Sequence, residues 1–179
     1  MAKIKIPYHK QMLDIEIDDK NLLGVLESKA AEYKATASQE ELVEMALDNP
    51  IGSEKLEDLV KGKKNMVIIT SDHTRPVPSK ITMPILLRRI RESNPNIDIT
   101  ILIATGFHRP TTHDELVNKF GEEIVKNEKI VVHNAFDDNT LVKVGTLPSG
   151  GELIINKLAV ETELLIAEGF IEAHFFAGF

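Results

Sequence analysis

The sequence has no cysteine among its 179 residues. Disulfides, iron–sulfur clusters and thiolate zinc sites are therefore excluded within this chain, and a metal bound here would need histidine or carboxylate ligands. No run of about 18 consecutive apolar residues occurs, so the sequence offers no membrane-spanning helix. The first residues, MAKIKIPYHKQMLDIEID, lack the apolar stretch of a signal peptide, which points to a cytoplasmic protein. Positive charge is in deficit: 21 Lys plus Arg against 28 Asp plus Glu leave a net charge of −7. Nucleic acids and anionic membranes attract basic surfaces, so neither is an expected partner. There is no glycine-rich dinucleotide or P-loop fingerprint, no nucleophile elbow, no paired-histidine zinc helix, no internal repeat and no low-complexity linker.

What remains is an ordinary globular composition, 42% apolar and 27% charged. The length is that of one domain, enough to bury roughly 70% of the surface its unfolded chain exposes. Residues 3–7 and 12–17 alternate apolar and polar, the signature of a strand pair. Residues 22–33 and 39–48 have helical spacing. Ser38 and Glu41 form a capping box ahead of the second, and Asn49-Pro50 stops it. From residue 65 the pattern changes. MVIIT (66–70) reads as a buried parallel strand. A loop, SDHTRPVPS, leads into a helix ending near Glu92, with Pro84 in its first turns and Asn94-Pro95 beyond its end. IDITILIAT (97–105) is the next strand. Thr112 and Glu115 make a second capping box for a helix over 113–126 that Gly121 interrupts. KIVVH (129–133), ELIIN (152–156) after a PSGG turn, and ELLIAEG (163–169) complete the strands. Apolar strands alternating with helices imply an α/β fold: a mostly parallel sheet flanked by helices, with an N-terminal strand pair.

Three loops after apolar strands carry unusual polar content: Ser71-Asp72-His73-Thr74-Arg75-Pro76, Thr105-Gly106-Phe107-His108-Arg109-Pro110, and Gly169-Phe170-Ile171-Glu172-Ala173-His174-Phe175-Phe176. In open α/β sheets ligands bind outside the carboxyl ends of the strands, so parallel strands would bring all three loops to one rim. Four of the six histidines, His73, His108, His113 and His174, fall in or beside these loops. Plainer readings exist. Asp72 suits a turn brace through its own backbone. Arg75 is either a solvated charge or, in a Pro-stiffened loop, a clamp for carboxylate or phosphate. A single histidine after a strand is more often structural, but two of them, His108 and His174, favour proton transfer. His9, His113 and His133 read as structural, Phe175-Phe176 as core, and the basic runs at 61–64 and 88–91 as solvated surface. Residue patterns alone thus reach a small anionic ligand at an α/β rim with two imidazoles beside it.

The stretches SDHTRPVP, ILIATGFHRPTTHDELVNKFGEE, LPSGGELIINK and EGFIEAHFFAGF together resemble the N-terminal domain of the nickel-dependent lactate racemases. The resemblance covers residues 3–179. It implies that this chain is the N-terminal α/β domain of a two-domain racemase, with the active site in the cleft between domains. It also implies that the chain stops short of its natural end, as the aromatic final run GFIEAHFFAGF suggests. The cofactor of that family is a nickel pincer mononucleotide, nickel pyridinium-3,5-bisthiocarboxylic acid mononucleotide. It is tethered to a lysine and ligated by a histidine, both downstream of the AGF motif, so no metal ligand is expected within this chain and no stable cofactor on it alone. Matched position by position, the resemblance makes His108 and His174 the catalytic acid/base pair. Arg75 would contact the substrate carboxylate or hydroxyl. Asp72 would support the cofactor or its loop, and Phe176 would stack on the pyridinium ring. Ala173 departs from the family's usual proline before the histidine. The implied substrate is lactate. The alternatives are a racemase or epimerase of another 2-hydroxy acid, and a non-catalytic module for a mononucleotide or organic acid.

Overall fold

The computed structural model describes residues 1–26, 28–174, 176 and 178. It divides into two units, Met1–Thr36 and Ala37–Phe179. The first holds the strand pair, β1 (Ala2–Tyr8) and β2 (Gln11–Ile17), antiparallel with Tyr8 opposite Gln11. His9 sits in their two-residue turn at φ 54°, an αL position that glycine usually occupies. The helix expected over residues 22–33 does not form. Among the described residues of this stretch only a 3₁₀ turn, Lys29–Glu32, is present, started by the Ser28 side chain accepting from the Ala30 N–H at 3.2 Å. The physical reason is lack of burial: Leu23 and Leu26 are fully exposed, Gly24 weakens a helix, and short helices need a packed face.

The second unit is an α/β layer structure. Its strands β3 (Asn65–Ser71), β4 (Asp98–Ala104) and β5 (Lys129–Val132) form, with the final strand β8 (Leu165–Glu168), a four-stranded parallel sheet in the order β5-β4-β3-β8. Ahead of it come α1 (Gln39–Asp48) and α2 (Leu56–Leu59). Between the strands run α3 (Ser79–Ser93), α4 (His113–Phe120) and α5 (Glu122–Asn127). Both expected capping boxes form, at Ser38/Glu41 and Thr112/Glu115. Gly121 at φ 90° separates α4 from α5, as its place in the sequence suggested. Pro84 lies in the first turns of α3 as expected, as its sixth residue, where it leaves the carbonyl of exposed Lys80 to water.

The core lies on one face of this sheet. Met66, Ile68, Ile99, Ile101 and Ile103 pack there against Met83, Leu87, Ile90, Phe120 and Ile124. On the other side an antiparallel hairpin, β6 (Leu141–Thr146) with β7 (Glu152–Asn156), leads through α6 (Lys157–Glu161) into β8. β6 escaped the sequence reading because a bulge between Lys143 and Gly145 breaks its alternation.

The run Arg88–Arg91 is not simply solvated surface. Arg89 is 8% exposed and binds Glu44 at 2.8 Å, Asp48 at 2.7 Å and Glu57, fastening α1 and α2 to α3. Arg91 makes a two-pronged bond to Glu128 at 2.6 Å.

Candidate active site

The parallel register places Ser71 beside Ala104 and Thr70 beside Glu168. The three polar loops therefore leave the sheet side by side at its carboxyl edge, as expected for an open α/β sheet.

The Asp72 side chain is 2% exposed. Its Oδ1 accepts from the Thr74 N–H at 2.9 Å and the Thr74 hydroxyl at 2.6 Å, closing an Asx turn. Its Oδ2 lies 2.6 Å from Nδ1 of His108, 36 residues further on. Burial pushes the Asp72 carboxyl pKa up, but the bonds from Thr74 and His108 outweigh it and hold the group below the usual carboxylate range. Asp72 is thus a carboxylate that accepts, and His108 Nδ1 carries the proton. The lone pair of the neutral ring is left on Nε2, and the side chain is 53% exposed. The second loop delivers the imidazole by a tight turn. Thr105 donates its hydroxyl to the His133 carbonyl at 2.7 Å, Gly106 takes φ 55°, and the His108 N–H closes on the Thr105 carbonyl at 3.0 Å.

His174 is held differently. Its backbone pairs with Gly178 in both directions, at 2.7 and 2.8 Å. Its Nδ1 accepts from the Phe176 N–H at 3.1 Å, and the two rings lie 5.9 Å apart at 50°. A ring whose Nδ1 accepts carries its proton on Nε2, the tautomer opposite to that of His108. Phe176 is 86% exposed, which overturns its reading as core; its neighbour Phe175 lies outside the described residues.

Arg75 reaches Glu172 on the third loop at 3.5 Å. Arg109 is engaged elsewhere, in a two-pronged bond to Glu115 at 2.6 and 2.9 Å that draws the Glu115 pKa far below its ordinary value. His73 lies 3.3 Å from the Thr111 hydroxyl and 3.7 Å from Glu115. His133 takes the structural role expected of it, beside Asn156 at 3.1 Å.

Two residues at this rim were not singled out from the sequence. Glu168 ends β8 and accepts from Thr70 at 2.6 Å, Ser79 at 2.8 Å and Thr82, tying together the roots of the first and third loops. Lys119 stands 3.5 Å from the Ser71 hydroxyl, and burial pushes its pKa down. In sequence it resembles any last-turn lysine. The available signal is its spacing of four from Glu115, which puts it on the face of α4 that meets the loops. Lys119, Arg75 and Lys80 line a cleft of about 410 Å³ together with His73 and one carboxylate, Glu115, and this excess of cations suits an anion.

Among the described residues no group of three or more His, Asp or Glu could hold a metal ion. No helix among them is long and apolar enough to cross a membrane.

Fold and rim together define an α/β domain with a carboxylate–histidine pair at the carboxyl edge of a parallel sheet. The lactate racemase N-terminal domain family matches residues 8–179, and the chain belongs to that family. It is 62% identical to the lactate racemase of Lactiplantibacillus plantarum and 58% identical to that of Thermoanaerobacterium thermosaccharolyticum, each over all 179 residues. The solved lactate racemase apoprotein from the latter organism superposes with a TM-score of 0.88 over 97% of the chain, at 55% identity. The chain spans 42% of the length of both curated relatives and 40% of the solved chain.

Proposed function

We propose that this chain is the N-terminal domain of a two-domain lactate racemase and contributes its proton-transfer groups. The 2.6 Å Asp72–His108 pair at the rim carries this reading. The cationic cleft alone would serve an anion-binding module equally well; a buried carboxylate that fixes an imidazole tautomer serves a base.

The α-hydrogen of lactate is too weakly acidic for an imidazole to remove as a proton. The nickel pincer mononucleotide, when bound, supplies an electrophilic acceptor that takes this hydrogen as hydride. Its fit to this chain is partial. The cationic cleft beside the Asp72 loop suits its phosphate, and the exposed Phe176 ring suits its pyridinium. The nickel ligands belong to the part of the protein outside this chain. His108 Nε2 takes the hydroxyl proton as the C–O bond becomes a carbonyl, and Asp72 stabilises the imidazolium that results. Arg75, released from Glu172, holds the substrate carboxylate by its planar fork. Reduction of the resulting ketone on its other face inverts the centre, with His174 serving the opposite enantiomer. For Nε2 of His174 to accept a proton, Nδ1 must gain one, so the bond from the Phe176 N–H has to give way. His108 is set for the reaction as it stands, and His174 is not.

The test is full-length, cofactor-loaded protein incubated with each pure lactate enantiomer and assayed for the other. Appearance of the opposite enantiomer from both sides is expected. No interconversion of lactate would overturn the reading, and turnover of only a different 2-hydroxy acid would move the assignment to that substrate.

A further inference from the structure

One face of the β5-β4-β3-β8 sheet is closed by α3–α5; the other carries the β6–β7 hairpin and α6 and is open beside β8. Strand side chains alternate between faces. The residues of β3 and β4 that meet α3–α5 form the core, whereas Ile69, Leu102 and Leu165 point the other way. They line an open cleft of about 640 Å³ with Phe107, Ile154 and Ile155. Leu102, at 3% exposed, is already covered at its floor, but Leu165 is 45% exposed, Ile154 46% and Phe107 81%. A contiguous apolar patch of this kind marks a contact surface.

The sheet edge beside this cleft is also open. β8 is its last strand. The Val67 N–H donates to the Leu164 carbonyl at 2.9 Å. Alternation along a parallel ladder then turns the N–H and C=O groups of Leu165 and Ala167 away from β3. Neither proline, bulge nor outward charge guards these residues, and natural edges rarely go unguarded.

The occupant follows from length and handedness. The curated relatives are matched over 42% of their length, by a domain described as N-terminal, so 100 − 42 = 58% of each lies elsewhere. The steps β3→β4 and β4→β5 run in one direction across the sheet with their helices on the closed face. A step from β8 past the free edge runs in the opposite direction. Since parallel crossovers are right-handed, its connection must lie on the open face.

We propose that in the full-length protein the segment following residue 179 crosses this cleft, seats apolar side chains on Leu165, Ile154 and Phe107, and returns as a strand parallel to β8. This rests on sheet order, exposure and the length of the relatives, not on the proton-transfer reading.

Residue-resolved hydrogen exchange on the full-length wild-type protein tests the strand. The Leu165 and Ala167 amides should exchange about 100-fold or more slowly than free peptide. Rates within about 10-fold of free peptide would overturn the pairing. Labelling of full-length Leu165→Cys with N-ethylmaleimide, read on its own peptide by mass spectrometry, tests the face. It should react about 100-fold more slowly than Ile51→Cys, whose native side chain is 99% exposed, and equally slowly after dilution. Equal rates would leave the face open and overturn the proposal. Protection that disappears on dilution would assign the face to a second copy, with the same consequence.

Discussion

At the scale of single residues, the site depends on what Asp72 does to His108. The carboxylate orients the ring and fixes its tautomer, and in the proposed mechanism it shares the charge that the ring gains as a base. Asp72→Asn keeps shape but offers an amide that can present its N–H to the ring and favour the wrong tautomer. In the full enzyme kcat should fall about 100-fold or more with little change in KM, measured by steady-state kinetics on both enantiomers. The same pair gives a pH signature. The native Asp72 pKa lies below the unfolded value near 3.9, so its stabilisation is present above about pH 4 and is lost as pH falls through the native pKa. The gap in melting temperature between wild type and Asp72→Asn should therefore narrow on going from about pH 6 to about pH 3. Arg75→Lys keeps the charge and loses the planar fork, so kcat/KM should drop about ten-fold or more, equivalent to about 1.4 kcal/mol. An unchanged value would leave Arg75 as a partner of Glu172 alone. These residues were legible in the sequence because loops after apolar strands concentrate chemistry. Their pairing was not: 36 residues separate Asp72 from His108, and only the β3–β4 register brings the two loop roots together.

At the scale of elements, the rim is assembled by Glu168. Its carboxylate receives hydroxyls from β3 and from the first turn of α3, so the Asp72 loop is clamped at both ends to the strand that launches the His174 loop. Glu168→Leu would leave the buried Thr70 and Ser79 hydroxyls without an acceptor and should cost about 3 kcal/mol, read as a lower urea midpoint. Arg89→Met should cost about 3 kcal/mol in the same assay, because Glu44, Asp48 and Glu57 would lose the cation they share, with only Glu44 keeping a bond to Arg88. Local rules announced the elements that have local causes. β3 and β4 are apolar runs, α1 and α4 begin at capping boxes, and α3 stops before Asn94-Pro95. They failed where tertiary context decides. Residues 22–33 have helical spacing but none of the described ones is fully buried, β6 is masked by its bulge, and Arg89 reads as surface until three acidic residues from two other helices meet it.

At the scale of the whole molecule, the two histidines make different demands on the protein. His108 is held by a carboxylate from a neighbouring loop. His174 takes its bond from the backbone of its own loop, which leaves Nε2 protonated. In the proposed racemisation the reaction runs both ways, and each turnover would use one imidazole as base and the other as acid. Losing either should therefore abolish net racemisation in both directions, even though each enantiomer meets only one base first. His108→Ala and His174→Ala should each fall to about 1% of wild-type turnover or less from D- and from L-lactate alike. The half-reactions should separate them. In single-turnover experiments, rapid acid quench should find enzyme-bound pyruvate from one enantiomer only with His108→Ala, and from the other only with His174→Ala. If both variants formed pyruvate from the same enantiomer, one histidine would be the base for both directions. The second would then return to the structural role that a lone histidine after a strand usually has.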